Sequence, residues 1–351
     1  MSALRERRVL LFAGPRRLAW RTEPCPSPGP GQVQVQVHWS APSPGTEMLL
    51  YRGQWPPEVP LDDALPALQG RFAYPVAYGY STVGRVVAVG PEVAEEWVGR
   101  WVFAFQPHAS CYTAAVDEVR PLLPGLTPED ALFLPNLETA VTFALDAAPR
   151  IGEHVIVLGQ GVVGLLTTGV LAAMPLGSLT VVDRYAQRRA LALAWGAQQA
   201  VPPPVSAKEL EALRAHKAPH PRYPGADVVL EVSGAPQALQ TAIEVAGFGA
   251  RIVVGSWYGA KPVTLDLGGR FHRARLQLVS SQVTTLAPGL GGLWNPQRRW
   301  AVAEREAQRL RPARHLVTHR LPAAQAEEAY RLLDQHPERT VQVLLRWRSA
   351  P

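Results

Sequence analysis

Cysteine is scarce in this chain of 351 residues, which contains only Cys25 and Cys111. Two thiols are too few for the disulfide framework of a small secreted fold, and too few for a zinc site built from thiolates. Residues 1–17 contain too short an apolar stretch for a signal peptide. These scarcities predict a cytoplasmic protein.

Lysine is also scarce, because arginine supplies all but three of the 35 basic side chains. The formal net charge is +6 at pH 7. The arginines are scattered along the sequence, which is typical of solvated helix faces and not of a continuous polyanion-binding stripe. Nucleic acid is therefore not an expected partner.

Charge is missing altogether from residues 155–176, the longest apolar run. Gly159, Gly161 and Gly164 divide this run into a short strand and a helix. Strands that are covered on both faces are apolar throughout in parallel sheets, so such a run does not require a lipid environment. No membrane span is predicted.

The pattern of apolar residues changes along the chain. Residues 32–39, QVQVQVHW, alternate polar and apolar side chains and predict a half-buried antiparallel strand. After about Thr127, short apolar strands alternate with longer helical segments, which predicts an α/β region with a parallel sheet and helices on both faces. The tail from Leu316 returns to a strand, a helix and a final strand.

The sequence VIVLGQGVVGLL contains the spacing G-x-G-x-x-G directly after a predicted strand and at the start of a predicted helix. In this motif the first glycine permits a tight turn, the second lets the backbone approach a pyrophosphate, and the third allows close packing of helix on strand. The motif predicts a dinucleotide site. Together with the ends of two later strands, we assign to it Gly159, Gly161, Val162, Val163, Gly164, Ser233, Gly255 and Ser256.

Asp183 ends the next predicted strand, nineteen residues after Gly164. A carboxylate at that place can accept hydrogen bonds from the adenosine ribose and repels a 2′-phosphate, so it favours NAD. Arg184 and Arg188 follow it and would attract that phosphate. NADP therefore stays open as an alternative cofactor.

Several stretches together resemble the medium-chain dehydrogenase/reductase superfamily, and the resemblance covers essentially the whole chain. Besides the glycine motif they are SAPSPGTEMLLYRG (40–53), YPVAYGYSTVGRVVAVG (74–90), RRALALAWGA (188–197) and HLVTHRLPAAQAEEAYRLL (315–333). The resemblance implies a homodimer or homotetramer of a two-domain chain. Its parts would be a GroES-like antiparallel β catalytic domain at 1–126, a doubly wound parallel-sheet Rossmann domain at 127–285, and a return segment at 286–351.

Zinc-dependent members of that superfamily read Cys-Gly-Thr-Asp in the first stretch and Gly-His-Glu in the second. Here Pro44 stands at the cysteine, Tyr80 at the histidine and Ser81 at the glutamate. The third ligand position falls on Asn136. Proline has no donor atom, and neutral tyrosine and asparagine are poor zinc ligands. The resemblance, with these departures, implies an enzyme without zinc.

Hydride transfer without zinc still requires a proton acceptor and a group that stabilises charge on the substrate oxygen. Thr46 matches the superfamily hydroxyl that passes the substrate proton into a relay, and Tyr80 offers a second hydroxyl. Two interpretations of Tyr80 stay open, a hydrogen-bond donor to substrate or a ring that fills the space of a lost metal. Glu47 either orients the site or is a helix-start carboxylate, and Asn136 is kept as a candidate catalytic residue.

The pair SPGTE and GYSTVGRV is most similar to a zinc-lacking branch that includes the bacteriochlorophyllide a 3-hydroxyethyl dehydrogenase. This implies a zinc-independent, NAD(P)-dependent oxidoreductase that converts a small secondary alcohol and its ketone. Two other functions stay open. One is an NADPH-dependent reductase of quinones or activated alkenes, and the other is a retired dinucleotide-binding sensor or nucleic-acid-binding protein.

Overall fold

The computed structural model describes residues 4–62, 65–215 and 220–347. The chain forms two compact units, the first from Met1–Pro135 and Ala307–Pro351 and the second from Asn136–Glu306. The domain limits expected from the sequence, after residues 126 and 285, stay a prediction.

Strands form two sheets in the first unit and one sheet in the second. In chain order they are β1 (Glu6–Gly14), β2 (Arg17–Pro24), β3 (Gln32–Ser40), β4 (Val76–Ala77), β5 (Thr82–Val89), β6 (Trp101–Ala104), β7 (Cys111–Ala115), β8 (Val119–Pro121), β9 (His154–Leu158), β10 (Ser178–Val182), β11 (Gln199–Val201), β12 (Ala226–Glu231), β13 (Ala246–Val254), β14 (Gln277–Ser280), β15 (Val317–Pro322) and β16 (Gln342–Arg346).

The α-helices are concentrated after residue 127, as the change of pattern in the sequence predicts. They are α1 (Thr46–Arg52), α2 (Pro128–Ala131), α3 (Leu134–Ala147), α4 (Val162–Leu171), α5 (Ala186–Ala194), α6 (Ala207–Arg214), α7 (Pro236–Val245), α8 (Pro296–Leu310), α9 (Pro312–Leu316) and α10 (Ala326–Gln335). Short 3₁₀ or π turns occupy Pro66–Leu68, Glu95–Trp97, Leu267–Phe271, Pro288–Leu290 and Ala323–Gln325.

The first unit contains a seven-stranded sheet in the order β15-β16-β3-β5-β6-β8, with β7 also paired to β3, and a three-stranded sheet β2-β1-β4. Strand β3 is antiparallel to β5, β7 and β16, as predicted. The predicted alternation is wrong at Gln34, which is fully buried. Its amide exchanges hydrogen bonds with the backbone of Leu4 and donates to the Pro26 carbonyl, so burial leaves none of these groups unsatisfied.

The second unit contains a parallel sheet in the order β11-β10-β9-β12-β13-β14, which confirms the doubly wound fold class. Its central strands are apolar because both faces are covered, and Ile156, Val229 and Ile252 are fully buried. In register, Leu158 lies beside Val182 and Glu231. These strands therefore end together and form one carboxyl edge.

The uncharged run of residues 155–176 is divided as the glycines predict. Strand β9 ends at Leu158, and α4 contains ten residues. Within the described parts of the chain, no helix is long and apolar enough to cross a membrane.

The two cysteines form a disulfide, with their Cα atoms 6.6 Å apart. Cys25 follows β2 and Cys111 begins β7, and both side chains are buried. Their count correctly excludes a framework of several bridges, but one pair is sufficient for one crosslink. A disulfide sulfur is not a thiolate, so neither cysteine offers a zinc ligand in this oxidised state.

Candidate active site

Helix α1 begins directly after the SPG turn and positions Thr46 and Glu47 in its first turn. It ends at Arg52, and the cap residue Gly53 has a φ of 69° and donates its N–H to the Leu50 carbonyl. This left-handed conformation suits glycine, and it closes the helix in the usual way. The turn and α1 together fix the candidate hydroxyl and carboxylate on one short, rigid element.

Ser43 joins the two predicted hydroxyl residues. The Tyr80 hydroxyl donates to Ser43 Oγ at 2.6 Å, and the Thr46 backbone N–H donates to the same oxygen at 3.3 Å. Thr46 and Tyr80 are thus brought together at one oxygen of a residue that sequence reasoning missed. The available signal was a hydroxyl three residues before Thr46, a spacing at which a serine side chain can accept a hydrogen bond from a nearby backbone N–H in a turn.

Tyr80 is a hydrogen-bond donor at neutral pH. Burial raises the pKa of Tyr80 to about 12, and the Glu47 carboxylate acts in the same direction, while hydrogen bonds with Ser43 and Thr46 oppose the rise. A phenol with this pKa keeps its proton near pH 7. Its hydroxyl can therefore stabilise an oxygen by donation, and it is poorly suited to act as a base.

Glu47 is fully buried and accepts three hydrogen bonds. Oε1 accepts from the Ser43 backbone N–H at 2.9 Å. Oε2 accepts from His108 Nε2 at 3.0 Å and from the Tyr330 hydroxyl. Burial and the Glu47 charge raise the pKa of Tyr330, which therefore remains a donor. A carboxyl group surrounded by three donors is satisfied as a carboxylate.

His108 lies directly beneath the loop that carries Tyr80. Its Nδ1 pairs with Ser40 Oγ at 2.8 Å, and that oxygen also accepts from Trp347 Nε1 at 2.8 Å. Gly79 has a φ of 125°, and a Cβ there would lie 2.7 Å from the His108 ring. Glycine is thus required at position 79 both by the backbone conformation and by the imidazole beneath it.

The positions that hold zinc in zinc-dependent relatives offer an unsuitable set of donors. Ser81 is buried and its hydroxyl donates to the Leu132 carbonyl at 2.7 Å. Asn136 lies in the first turn of α3, in the second unit. Across residues 4–62, 65–215 and 220–347, no group of three or more His, Cys, Asp and Glu side chains is arranged to hold a metal. One phenol, one alcohol and one amide do not fit zinc.

The glycine motif forms a cradle at the carboxyl edge of the parallel sheet. Gly159 has a φ of 99°, and a Cβ there would lie 2.5 Å from Ser233 Cα. A Cβ at Gly164 would overlap the Gly159 carbonyl. A Cβ at Gly161 would have no neighbour within 4 Å. The outer two glycines therefore allow packing within the protein, and Gly161 leaves open space at the N-terminus of α4.

An open position at the start of a helix is the kind of place at which proteins bind a pyrophosphate. The first N–H groups of a helix have no partner within the helix, and its dipole favours an anion there. Val162 and Val163 occupy these first positions of α4. The observation that supports a resident cofactor is the combination of an open Gly161 with a helix start at the end of a buried strand.

Asp183 follows β10 at the same sheet edge and is 8% exposed. Oδ2 accepts from the Gln160 backbone N–H at 2.7 Å, and Oδ1 accepts from that of Tyr185 at 2.8 Å. Each oxygen keeps a second acceptor site for a ribose hydroxyl. The Arg184 and Arg188 guanidinium groups lie 5.4 and 4.7 Å from the centre of the Tyr185 ring. Burial lowers the pKa of Arg188, and the Asp183 charge opposes this.

The remaining predicted cofactor residues surround Glu231, a fully buried carboxylate at the end of β12 that sequence reasoning missed. Its side chain accepts from Ser233 and from the Tyr258 hydroxyl. Its backbone carbonyl accepts from the N–H groups of Gly255 and Ser256 at 2.9 and 3.1 Å. Burial and Glu231 raise the pKa of Tyr258, so the phenol stays protonated. The structure thus gathers all predicted cofactor residues at one edge.

Comparison with known proteins gives matches along the chain. Residues 162–288 match the zinc-binding dehydrogenase family. The D-guloside 3-dehydrogenase of Escherichia coli is 25% identical over 331 residues, which cover 88% of this chain and 90% of that protein. The 2-desacetyl-2-hydroxyethyl bacteriochlorophyllide A dehydrogenase of Rhodobacter capsulatus is 25% identical over 364 residues, with 98% and 99% covered.

Solved structures show the same fold. The galactitol-1-phosphate dehydrogenase of Escherichia coli superposes with a TM-score of 0.77 at 19% identity, covering 97% of this chain and 99% of that one. The rspB protein of Escherichia coli, solved with NADH, gives a TM-score of 0.77 at 18% identity, with 98% and 100% covered. The family match over 162–288 does not include positions 44, 80 and 136.

Proposed function

We propose that this chain, an oxidoreductase of the medium-chain dehydrogenase/reductase superfamily, is a zinc-independent, NAD(P)-dependent dehydrogenase of secondary alcohols. The observation that carries the proposal is the Tyr80 hydroxyl, held 2.6 Å from Ser43 Oγ at the position of a zinc-ligating histidine in other members. The guloside and the hydroxyethyl bacteriochlorophyllide named for two relatives are both alcohols, which supports this substrate class.

The second unit would hold the cofactor. The start of α4 at Gly161 would bind the pyrophosphate, and Asp183 would accept hydrogen bonds from the adenosine ribose. The nicotinamide, when bound, takes up or releases the hydride of the carbinol carbon. Asp183 is buried and already hydrogen-bonded at both oxygens, so it would need little rearrangement to bind a ribose.

The first unit would bind the substrate oxygen. Ser43 and Tyr80 each carry one hydroxyl hydrogen, so Ser43 can donate to Tyr80 and release the phenolic hydrogen for the substrate. Donation from a preorganised phenol stabilises an oxygen that gains negative charge. The Thr46 hydroxyl, in the first turn of α1, would accept the proton that the alcohol loses and release its own proton to solvent, to which this half-buried residue is open.

Asp183→Ser tests the cofactor assignment. We expect the affinity for NAD to fall about tenfold, because one charged acceptor of the ribose hydroxyls is lost. The discrimination against NADP should weaken, since the repelling carboxylate is gone and Arg184 and Arg188 remain. Dissociation constants for both nucleotides, measured by fluorescence titration, check this.

Asp227→Ser is the matched control for that variant. Asp227 also accepts a backbone hydrogen bond in the same sheet, from the His154 N–H at 2.8 Å. It lies near the first residue of β12, at the opposite end of the strand from the carboxyl edge. It should change stability without changing cofactor choice. A preference that is the same in Asp183→Ser and in the unaltered chain would show that Asp183 does not contact the ribose.

Thermal-shift titration with NAD, NADH, NADP and NADPH, followed by turnover assays, tests the proposal as a whole. A ligand that binds the native state raises the melting temperature in proportion to the logarithm of its excess over Kd, so the preferred cofactor is identified directly. Turnover of secondary alcohols or ketones would support the proposal. Turnover confined to quinones or activated alkenes, or no shift with any nucleotide, would contradict it.

A further inference from the structure

We infer that His108 is a positioning residue for Tyr80, acting through Glu47 and Ser43. The inference rests on the proposed function, in which the Tyr80 hydroxyl donates to the substrate oxygen. It concerns a histidine in the loop between β6 and β7 that has no counterpart among the predicted site residues. Three sets of observed contacts connect the His108 imidazole with the Tyr80 side chain and its loop.

The first link is the pair of His108 and Glu47. Both side chains are completely buried, and His108 Nε2 lies 3.0 Å from Glu47 Oε2. A buried carboxylate needs its donors, because leaving one unsatisfied away from water is costly. Both imidazole nitrogens are engaged, with Nδ1 on Ser40 Oγ, so the ring has one fixed orientation. The orientation of His108 therefore determines where Oε2 can lie.

The second link leads from Glu47 to the Tyr80 hydroxyl. The other oxygen, Oε1, accepts the Ser43 backbone N–H at 2.9 Å. The same serine holds the Tyr80 hydroxyl at 2.6 Å through Oγ. The Glu47 carboxylate thus connects His108, through Oε2, with Ser43, through Oε1. Ser43 in turn accepts the hydrogen bond of the Tyr80 hydroxyl. A displacement of Glu47 would move Ser43, and the phenol with it.

The third link is direct and involves the backbone. The His108 N–H donates to the Tyr78 carbonyl at 3.2 Å, and the imidazole packs against Gly79. Positions 78 and 79 immediately precede Tyr80, so His108 supports the loop as well as the hydroxyl. Tyr330 also donates to Glu47, but its ring packs edge-on against Phe12 at 5.3 Å within the core. Its substitution would disturb core packing too, which makes His108 the cleaner test.

The first experiment uses a matched pair of unbranched replacements. His108→Gln keeps an N–H donor that can reach Glu47, and His108→Met has a similar length without one. We expect His108→Met to lower kcat about tenfold, as for a misaligned donor, with cofactor Kd unchanged. His108→Gln should restore most of that loss.

A double-mutant cycle distinguishes positioning from a merely structural role. If His108 acts through the Tyr80 hydroxyl, His108→Met should cause no further loss of kcat in a Tyr80→Phe chain, which has no hydroxyl to position. Equal losses in both backgrounds would overturn the inference. A loss of kcat in His108→Gln as large as that in His108→Met would also overturn the inference, because a retained N–H donor would then make no difference.

A spectroscopic readout keeps the inference testable without a substrate. With 3-fluorotyrosine incorporated at position 80, the ¹⁹F resonance should shift in His108→Met and move back towards its original position in His108→Gln. His154→Met is the control, because it removes another histidine–serine hydrogen bond, from Nδ1 to Ser178 at 2.9 Å, in the second unit. It should leave the resonance unchanged.

Two outcomes separate failure of the inference from failure of the proposed function. An unchanged ¹⁹F resonance in His108→Met overturns the inference, whatever the enzyme turns over. A shifted resonance in a chain that turns over no alcohol or ketone leaves the positioning supported and refutes the function. Should His108→Met not fold, Ser40→Ala removes the partner of His108 Nδ1, together with the acceptor of Trp347 Nε1, and should shift the resonance in the same direction. No shift in that variant would equally overturn the inference.

Discussion

Tyr80→Phe is expected to lower kcat about a hundredfold, because one preorganised donor to the developing charge on oxygen is lost. The affinity for the cofactor should stay near that of the unaltered chain. The ring is retained, so stability should fall by only about 1 kcal/mol, the value of one hydrogen bond to Ser43. Steady-state kinetics with a secondary alcohol, together with the melting temperature, measure both effects.

Tyr78→Phe is the matched control, since it removes the hydroxyl of a buried tyrosine two residues away in the same loop. It should leave kcat near that of the unaltered chain. Thr46→Val should lower kcat as Tyr80→Phe does, and the two losses should not add, because both hydroxyls serve one substrate oxygen. A lower melting temperature in Tyr80→Phe with kcat intact would contradict the account and make Tyr80 a space-filling ring.

Gly161→Val is expected to weaken dinucleotide binding by about a hundredfold or more, because the new side chain occupies the space proposed for the pyrophosphate. The fold should tolerate the change. Gly161 has a φ of −68°, which valine adopts readily, and its Cβ would have no neighbour within 4 Å. Thermal-shift titration with the four nicotinamide dinucleotides measures the loss.

Gly289→Val is the control for a valine added in open space, because a Cβ there also has no neighbour within 4 Å. It should retain full cofactor affinity. Gly164→Val should behave differently from both, since its Cβ would overlap the Gly159 carbonyl and destabilise the unit itself. Undiminished dinucleotide affinity in Gly161→Val would show that the cofactor does not use this cradle.

The parts of the molecule that the sequence predicts well depend on short-range spacing. The glycine motif, the strand before it and Asp183 after it lie within about one β-α-β unit. Their spacing encodes a turn, a helix start and a strand end, and the structure places them together. The parallel order of β9, β10, β12 and β13 follows from the same alternation of short strands and helices.

The buried polar network beneath Tyr80 could not be predicted, because its members are distant in sequence. His108 is 61 residues from Glu47 and 68 from Ser40, and Tyr330 is 283 residues from Glu47. No periodicity relates residues at such separations, and pairing of this kind is decided by tertiary packing. The disulfide is of the same type, since 86 residues separate its two cysteines.

Burial of Gln34 shows a second way in which pattern reasoning is limited. Its place in a polar and apolar alternation predicts exposure, yet hydrogen bonds to the backbone of Leu4 and Pro26 make its burial favourable. Alternation reports which face a side chain occupies. It does not report whether another segment covers that face.

Metal content of protein purified without a chelator, and turnover of the same preparation before and after chelation, test the central claim most directly. The account holds that the phenol of Tyr80 acts on the substrate oxygen at the place where zinc-dependent relatives hold their metal. It predicts far less than one zinc per chain by elemental analysis, with alcohol or ketone turnover undiminished by the chelator and unaffected by added zinc. About one zinc per chain, with activity that falls on chelation and returns on adding the metal, would contradict it.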